Sequence, residues 1–108
     1  MIDRELLELA AKAAGITDAN YHGPIEGMWS EQLEDYWNPL EDDGDALRLA
    51  VNLGINIGPE SPDVIGKSLA RASWLNRSYS IGEYGDGDKY AATRRAIVRA
   101  AAEIGRAA

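Results

Sequence analysis

The last part of the chain, residues 88–106, places apolar side chains at the spacing of an α-helix. The apolar side of this predicted helix is formed by Tyr90, Ile97, Ala101 and Ile104. Asp86 and Asp88 are both candidates for the residue whose carboxylate caps the first turn. An amphipathic helix is stabilised mainly by packing its apolar side against another layer. The pattern therefore requires the rest of the chain to supply a helix or a sheet that covers it.

Two further helices are predicted upstream, and each ends at a glycine followed by an isoleucine. The first has Asp3 as its predicted cap and a stripe formed by Leu6, Leu9, Ala10 and Ala13. The second covers residues 45–53 and has a stripe formed by Ala46, Leu49, Ala50 and Leu53. Gly15 and Gly54 are the expected stop residues, because glycine adopts the left-handed conformation without steric cost.

The segment after Gly54 alternates apolar and polar residues, which is the period of a β-strand. One face is predicted for Ile55, Ile57, Ala70, Ala72, Trp74, Tyr79 and Ile81. We expect three antiparallel strands joined as a meander, with a turn at residues 75–77. An alternative is a helix within residues 61–74 that begins at Ser61, although Gly66 weakens it by roughly 1 kcal/mol relative to alanine.

Residues 17–44 are rich in aromatic residues, glycine and proline, and they show no helical stripe. We interpret them as an irregular segment with two candidate short strands, at residues 20–22 and 27–29. Asn38 precedes Pro39, and a residue before proline is displaced from helical geometry. Asn38 should therefore be extended and lead into the acidic turn before the second helix.

These patterns together predict a single domain over residues 1–108. Its class is α+β, with a small antiparallel sheet of three to five strands packed with three helices. The length is that of one ordinary domain, which buries one modest core.

The chain is acidic, with a formal net charge of -7. Such a field repels phosphate backbones and anionic lipids, so neither nucleic acid nor a membrane is an expected partner. The absence of cysteine excludes a disulfide, a thiolate metal site and a thiol nucleophile. The sequence starts with a charged segment rather than an apolar signal sequence, and we expect a cytoplasmic location. Composition does not indicate the oligomeric state.

Three stretches resemble a known group of proteins: Trp37-Asn38-Pro39-Leu40, residues 42–51 (DDGDALRLAV) and residues 88–105 (DKYAATRRAIVRAAAEIG). They resemble small proteins encoded by phages and prophages, of the phage ABA sandwich type, a group without an assigned activity. The resemblance covers about a third of the chain. It implies a phage origin and a location in the host cell, and it carries over no active site.

The first candidate binding surface is the aromatic and acidic part of residues 21–37. Its residues are Tyr21, Trp29, Glu31, Glu34, Asp35, Tyr36 and Trp37. Aromatic side chains are enriched at protein interfaces, and the carboxylates suit a partner with a basic rim. Mimicry of nucleic-acid charge by the same segment is a second interpretation.

The second candidate site lies on the last helix, where Arg95, Arg99 and Arg106 could hold an anion through their guanidinium groups. The simpler interpretation is a solvated face that pairs with carboxylates. The aspartates of the two acidic turns have the spacing of helix caps rather than of a calcium loop, so we predict no metal site and no cofactor. His22 has no identifiable carboxylate partner, and we predict no catalytic residue.

These observations favour a phage or prophage accessory protein that acts by binding a host or phage protein and is not an enzyme. The first alternative is a small-molecule or nucleotide-binding or hydrolytic domain that uses the arginines. The second is a structural oligomerisation module. The sequence contains no serine-nucleophile elbow, phosphate-binding glycine loop or zinc-protease pair.

Overall fold

The computed structural model describes residues 2–60, 69–75, 79–84 and 88–108. The elements in these ranges are α1 (Asp3–Ala13), β1 (Asn20–Gly23), β2 (Gly27–Ser30), β3 (Asp35–Trp37), α2 (Asp43–Leu53), β4 (Asn56–Glu60), β5 (Leu69–Trp74), β6 (Tyr79–Tyr84) and α3 (Lys89–Ala107). The predicted α+β class with three helices is confirmed. The strands form two antiparallel sheets, ordered β1-β2-β3 and β4-β5-β6.

The glycine stops of the first two helices are confirmed. Gly15 and Gly54 have φ values of 78° and 67°, in the left-handed region that favours glycine. The backbone N–H of Ile16 donates to the carbonyl oxygen of Ala11 at 2.9 Å, and Ile55 closes α2 in the same way. Both isoleucines are buried, so each stop also fixes an apolar contact.

The starts of α1 and α2 differ from the prediction. Asp3 is the first residue of α1 rather than its cap, and Ile2 occupies the cap position without a side-chain hydrogen bond. α2 begins at Asp43, earlier than predicted, because the Asp42 carboxylate accepts from the backbone N–H of Asp45 at 2.8 Å. Asp42 therefore caps α2 upstream of the predicted start, and the helix is longer than predicted.

α3 begins after Asp88, whose carboxylate accepts from a backbone N–H of the first turn at 2.9 Å. The other candidate cap, Asp86, lies outside the described residues. Ile97 and Ala101 are buried as predicted, but Tyr90 is 63% exposed, so its predicted place on the apolar side is wrong. The buried surface of α3 is made largely of alanines instead, because the helix packs on several neighbours at once.

Residues 17–44 are more regular than predicted. β1 and β2 confirm the two candidate strands, and β3 is a third strand that the sequence did not indicate. The register places Met28 opposite both Tyr21 and Trp37, so these three side chains share the inner side of the sheet. Met28 and Trp37 are buried and Tyr21 packs against the core. The irregular interpretation was wrong because strands this short show too few alternations to form a pattern.

The predicted meander is confirmed in the second sheet, where β5 pairs with β4 on one side and β6 on the other. Ala72 lies opposite Ile57 and Ile81 in this register and is fully buried. The strand interpretation is therefore confirmed for residues 69–74, and the alternative helix does not extend into them. Residues 61–68 and 76–78 lie outside the described part of the chain.

The core lies between the three helices and the inner sides of the sheets. α3 is central, because it packs against α1, α2, β5 and β6. At Gly105 a Cβ atom would collide with the backbone carbonyl of Leu9, so α3 and α1 cross backbone against backbone at this point. In the described ranges, no helix is both long enough and apolar enough to cross a membrane.

Candidate functional site

The outer side of the first sheet carries three aromatic side chains, two of which contact the third. Trp29 and Tyr36 lie directly opposite each other in the β2–β3 register. Their ring centroids are 5.1 Å apart, in an edge-to-face arrangement. His22 of β1 also contacts Tyr36 edge to face, with ring centroids 5.8 Å apart. We call His22, Trp29 and Tyr36 the aromatic face.

The aromatic face is accessible to solvent. Tyr36 is 46% exposed, His22 is exposed and Trp29 is half-buried. An edge-to-face contact presents the edge of one ring to its neighbour, so part of the π surface stays open to a ligand. The inner side of the same sheet already supplies the buried residues, so the core does not account for these three rings.

Three exposed carboxylates lie in and next to the turn between β2 and β3. They are Glu31, Glu34 and Asp35, and we call them the acidic rim. The indole Nε1–H of Trp29 donates to Glu31 at 3.2 Å. The Asp35 carboxylate accepts from the backbone N–H of Tyr36 at 2.7 Å. The first bond holds a carboxylate beside the Trp29 ring, and the second ties Asp35 to the backbone of β3.

The structure divides the predicted binding residues into two groups. Trp29 and Tyr36 lie together on the outer side of the sheet, and Glu31 accepts from the Trp29 indole. Asp35 lies opposite Ser30 in the register, so it alternates with Tyr36 along β3, and Glu34 lies in the turn before it. Tyr21 and Trp37 lie on the inner side, where Trp37 belongs to the core and Tyr21 packs against it. His22 joins the aromatic face although the sequence analysis did not select it. Its alternation with Tyr21 in a strand was the signal that could have placed it there.

Asp18 fixes the turn that carries the acidic rim. Its carboxylate accepts from the Ser30 hydroxyl and from the backbone N–H of Gln32, both at 2.8 Å. Ser30 is fully buried, and its Oγ in turn accepts from the backbone N–H of Leu33 at 3.2 Å. The Ser30 hydroxyl holds the pKa of the Asp18 carboxyl below its usual value, and the Gln32 amide acts in the same direction against desolvation.

Asp18→Asn should reduce the dependence of the free energy of unfolding on pH in the acidic range. A carboxyl whose pKa is lower in the folded state adds stability above its unfolded pKa of about 3.9 and loses it as pH falls through the folded value. The variant should therefore be less stable than the wild type at pH 7 and lose less stability between pH 4 and pH 2. Urea unfolding across this range measures the effect, and Ser30→Ala should reproduce part of it. An unchanged acid limb in Asp18→Asn would contradict the assignment.

A buried asparagine holds the β1–β2 turn against the approach to α2. The side-chain amide of Asn38 donates to the carbonyl oxygens of Pro24 and Ile25, at 3.0 and 2.9 Å. Its Oδ1 accepts from the backbone N–H of Leu40 at 3.2 Å. Asn38 is 5% exposed, so it replaces water as the partner of all three backbone groups. The Trp-Asn-Pro stretch is therefore a structural clamp next to the aromatic face.

The arginines predicted as an anion site are brought together on one side of α3. They line a groove of about 350 Å³, which we call the arginine groove, formed by Leu6, Glu83, Arg95, Arg99, Glu103 and Arg106. The pairing with carboxylates that the sequence suggested is present. Arg99 contacts Glu83 at 2.5 Å and Arg106 contacts Glu103 at 3.4 Å.

The acidic turn before α2 serves the fold. Asp42 caps the helix, and Asp43 contacts Arg94 of α3 at 2.7 Å. Asp45 accepts from the backbone N–H of Asn38 at 2.9 Å and pairs with Arg48 at 2.8 Å. Within the described ranges, no three His, Asp or Glu side chains are grouped so that they could hold a metal ion.

Comparison with known proteins identifies no relative: no protein-family model, no curated protein and no solved structure matches the chain. The functional argument therefore rests on the chain's own surfaces. Two of them combine exposure with specific chemistry, namely the aromatic face with its acidic rim and the arginine groove.

Proposed function

We propose that this protein is a non-enzymatic phage or prophage accessory protein that binds a host or phage protein through the aromatic face and the acidic rim. The bound part of the partner is an exposed segment rich in arginine and lysine. The phage assignment and the location in the host cytoplasm are supported by the resemblance carried by Trp37-Asn38-Pro39-Leu40 and by the α2 and α3 sequences.

The observation that carries this proposal is the Trp29–Tyr36 pair on a side of the sheet that the core does not use. Tryptophan and tyrosine are the residues most often found to dominate binding energy at protein interfaces. The solvent-facing side of an antiparallel sheet is commonly polar, so the fold does not require tryptophan or tyrosine there. Their joint exposure therefore fits a surface that a partner covers.

The charge around the pair selects a basic partner. The open π faces of Trp29 and Tyr36 attract guanidinium and ammonium groups, by about 0.5 to 2 kcal/mol for each contact. Glu31 lies within hydrogen-bond distance of the Trp29 indole, so one cation can meet this ring and a carboxylate together. The net charge of -7 also steers a basic segment towards the protein.

Aliphatic side chains at both hairpin turns extend the surface. Ile25 is 80% exposed between β1 and β2, and Leu33 is 45% exposed between β2 and β3. Each lies beside acidic residues of its own turn. A partner segment that runs along β2 would meet apolar contacts at both ends and the rings between them, which is the centre-and-rim arrangement of protein interfaces.

Tyr36→Ala should weaken binding of a synthetic peptide of alternating arginine and glycine by about 2 kcal/mol, or roughly thirtyfold. The physical reason is loss of the ring that contacts both Trp29 and His22. Trp29→Ala should have a similar effect. Isothermal titration calorimetry at fixed ionic strength measures both, with circular dichroism to confirm that each variant is folded.

The matched control is Tyr90→Ala. Tyr90 is an exposed tyrosine on α3 whose ring already faces Lys89 of the same chain, at 5.9 Å from its centroid. The control should bind the peptide like the wild type. If Tyr36→Ala and Tyr90→Ala bind with the same affinity as the wild type, attraction to overall charge explains the binding and the proposal is wrong.

A further inference from the structure

The carboxylate of Glu31 lies at the edge of the Trp29 ring. The indole Nε1–H donates to Glu31 Oε1 at 3.2 Å. This N–H lies in the plane of the indole and points outward from it, so the carboxylate is beside the ring rather than above its face. The face of Trp29 and the carboxylate of Glu31 are therefore two adjacent contact points for one ligand group.

The turn fixes the backbone of Glu31 on both sides. Before it, Ser30 is fully buried and its hydroxyl donates to Asp18 at 2.8 Å. After it, the backbone N–H of Gln32 donates to the other oxygen of Asp18 at 2.8 Å. The carbonyl oxygen of Glu31 itself accepts from the backbone N–H of Glu34 at 3.2 Å. The position of Glu31 is therefore set before a ligand binds, which lowers the ordering cost of binding.

The Glu31 carboxylate keeps its charge and further acceptor capacity for a ligand. An ionised carboxylate has two oxygens with about four lone-pair sites, and the indole N–H engages Oε1. The indole is a neutral donor, so this bond leaves the negative charge in place. Glu31 is exposed and Trp29 is half-buried, so a side chain that arrives from solvent can reach both.

A guanidinium group fits this arrangement better than an ammonium group does. Guanidinium is planar, stacks on aromatic faces and carries five N–H donors spread around its plane. Part of it can lie on the face of Trp29 while its N–H groups reach past the ring edge to Glu31. An ammonium carries its charge on one compact and strongly hydrated nitrogen. It therefore makes a close contact with either the ring face or the carboxylate.

We infer that Glu31 is a specificity-determining residue, which makes the aromatic face select arginine over lysine in the partner segment. This selectivity rests on the protein-binding surface proposed above, and it names the side chain that the surface takes. Trp29 supplies the stacking face, and Glu31 accepts from the guanidinium N–H groups. Tyr36 contacts Trp29 edge to face and thereby supports the orientation of the indole.

The test compares two synthetic peptides of equal length and charge, one of alternating arginine and glycine and one of alternating lysine and glycine. Each is titrated into the intact protein by calorimetry at fixed ionic strength. The wild type should bind the arginine peptide about fivefold more tightly, the size of one exposed ion pair. Glu31→Gln should reduce this preference to about twofold or less, because glutamine can still accept from the indole but lacks the charge and the second acceptor oxygen.

Glu34→Gln is the matched control, because it removes the same charge from an exposed glutamate of the same turn. It should weaken binding of both peptides by similar factors and keep the preference for arginine. Trp29→Phe is a second variant that keeps an aromatic ring and removes the N–H that holds Glu31. It should lose most of the preference, and circular dichroism confirms that each variant is folded.

The outcomes separate this selectivity from the protein-binding proposal. Equal affinity of the wild type for the two peptides, with each weakened by Tyr36→Ala, would overturn the selectivity and leave the protein-binding proposal standing. A preference that Glu31→Gln keeps, or that Glu34→Gln loses to the same extent, would also overturn the selectivity. If the wild type binds neither peptide, both the selectivity and the protein-binding proposal are wrong.

Discussion

Gly105→Ala is expected to lower the free energy of unfolding by about 3 kcal/mol or more, at the upper end of the cost of overpacking a core. The new Cβ would overlap the carbonyl oxygen of Leu9, and it would lie 2.9 Å from the carbonyl carbon of the same residue. Both atoms are backbone, so α1 must shift as a whole to make room. Because α1 and α3 share the largest helix interface of the fold, the shift disturbs the centre of the core. Urea unfolding at pH 7 measures the loss.

Gly44→Ala is the matched control for this prediction. Gly44 is also a helical glycine, but a Cβ there would meet only the ends of two flexible side chains, Arg48 and Asp42, at 3.2 Å. Both substitutions gain up to about 1 kcal/mol of intrinsic helix propensity. The control should therefore be neutral or slightly stabilising. Equal stabilities of Gly105→Ala and Gly44→Ala would mean that the two helices do not cross backbone against backbone.

Asn38→Asp is expected to cost about 3 kcal/mol, the sum of a few buried hydrogen bonds. The substitution keeps the shape of the side chain and still allows Oδ1 to accept from Leu40. It replaces the amide that donates to Pro24 and Ile25 with an oxygen that faces their carbonyl oxygens. Two buried acceptors then lose their donor and meet a negative charge. Urea unfolding at pH 7 gives the magnitude.

Asn52→Asp makes the same change of charge at an exposed position of α2. Exposed substitutions of this kind stay within about 0.5 kcal/mol. If Asn38→Asp were no more costly than Asn52→Asp, the clamp between the β1–β2 turn and the approach to α2 would not contribute to stability. The same experiment would then remove one reason why the aromatic face is held in place.

The helices could be predicted from sequence because their signals are local. A stripe at helical spacing and a glycine followed by isoleucine specify an element and its end within one or two turns. Gly105 shows the limit of such signals. The sequence places it in the last turn of α3, where a glycine weakens the helix, and only the crossing with Leu9 of α1 explains why it is there.

Local signals also predicted only part of the candidate site. Composition indicated an aromatic and acidic segment, but the division between an inner and an outer side depends on the register of three short strands. Trp37 and Trp29 are chemically alike, and pairing alone decides that one is buried and the other half-exposed. The partners of the arginines, Asp3 and Glu83, come from other elements and have no local signal in the α3 sequence.

A nuclear magnetic resonance titration of the ¹⁵N-labelled protein with the arginine and glycine peptide tests the central claim most directly. The account predicts that the largest shifts occur at the Trp29 indole N–H and at backbone amides of β1, β2, β3 and the acidic rim. Shifts centred instead on the acidic turn at residues 41–45, or on the exposed Leu47 and Val51 of α2, would contradict it.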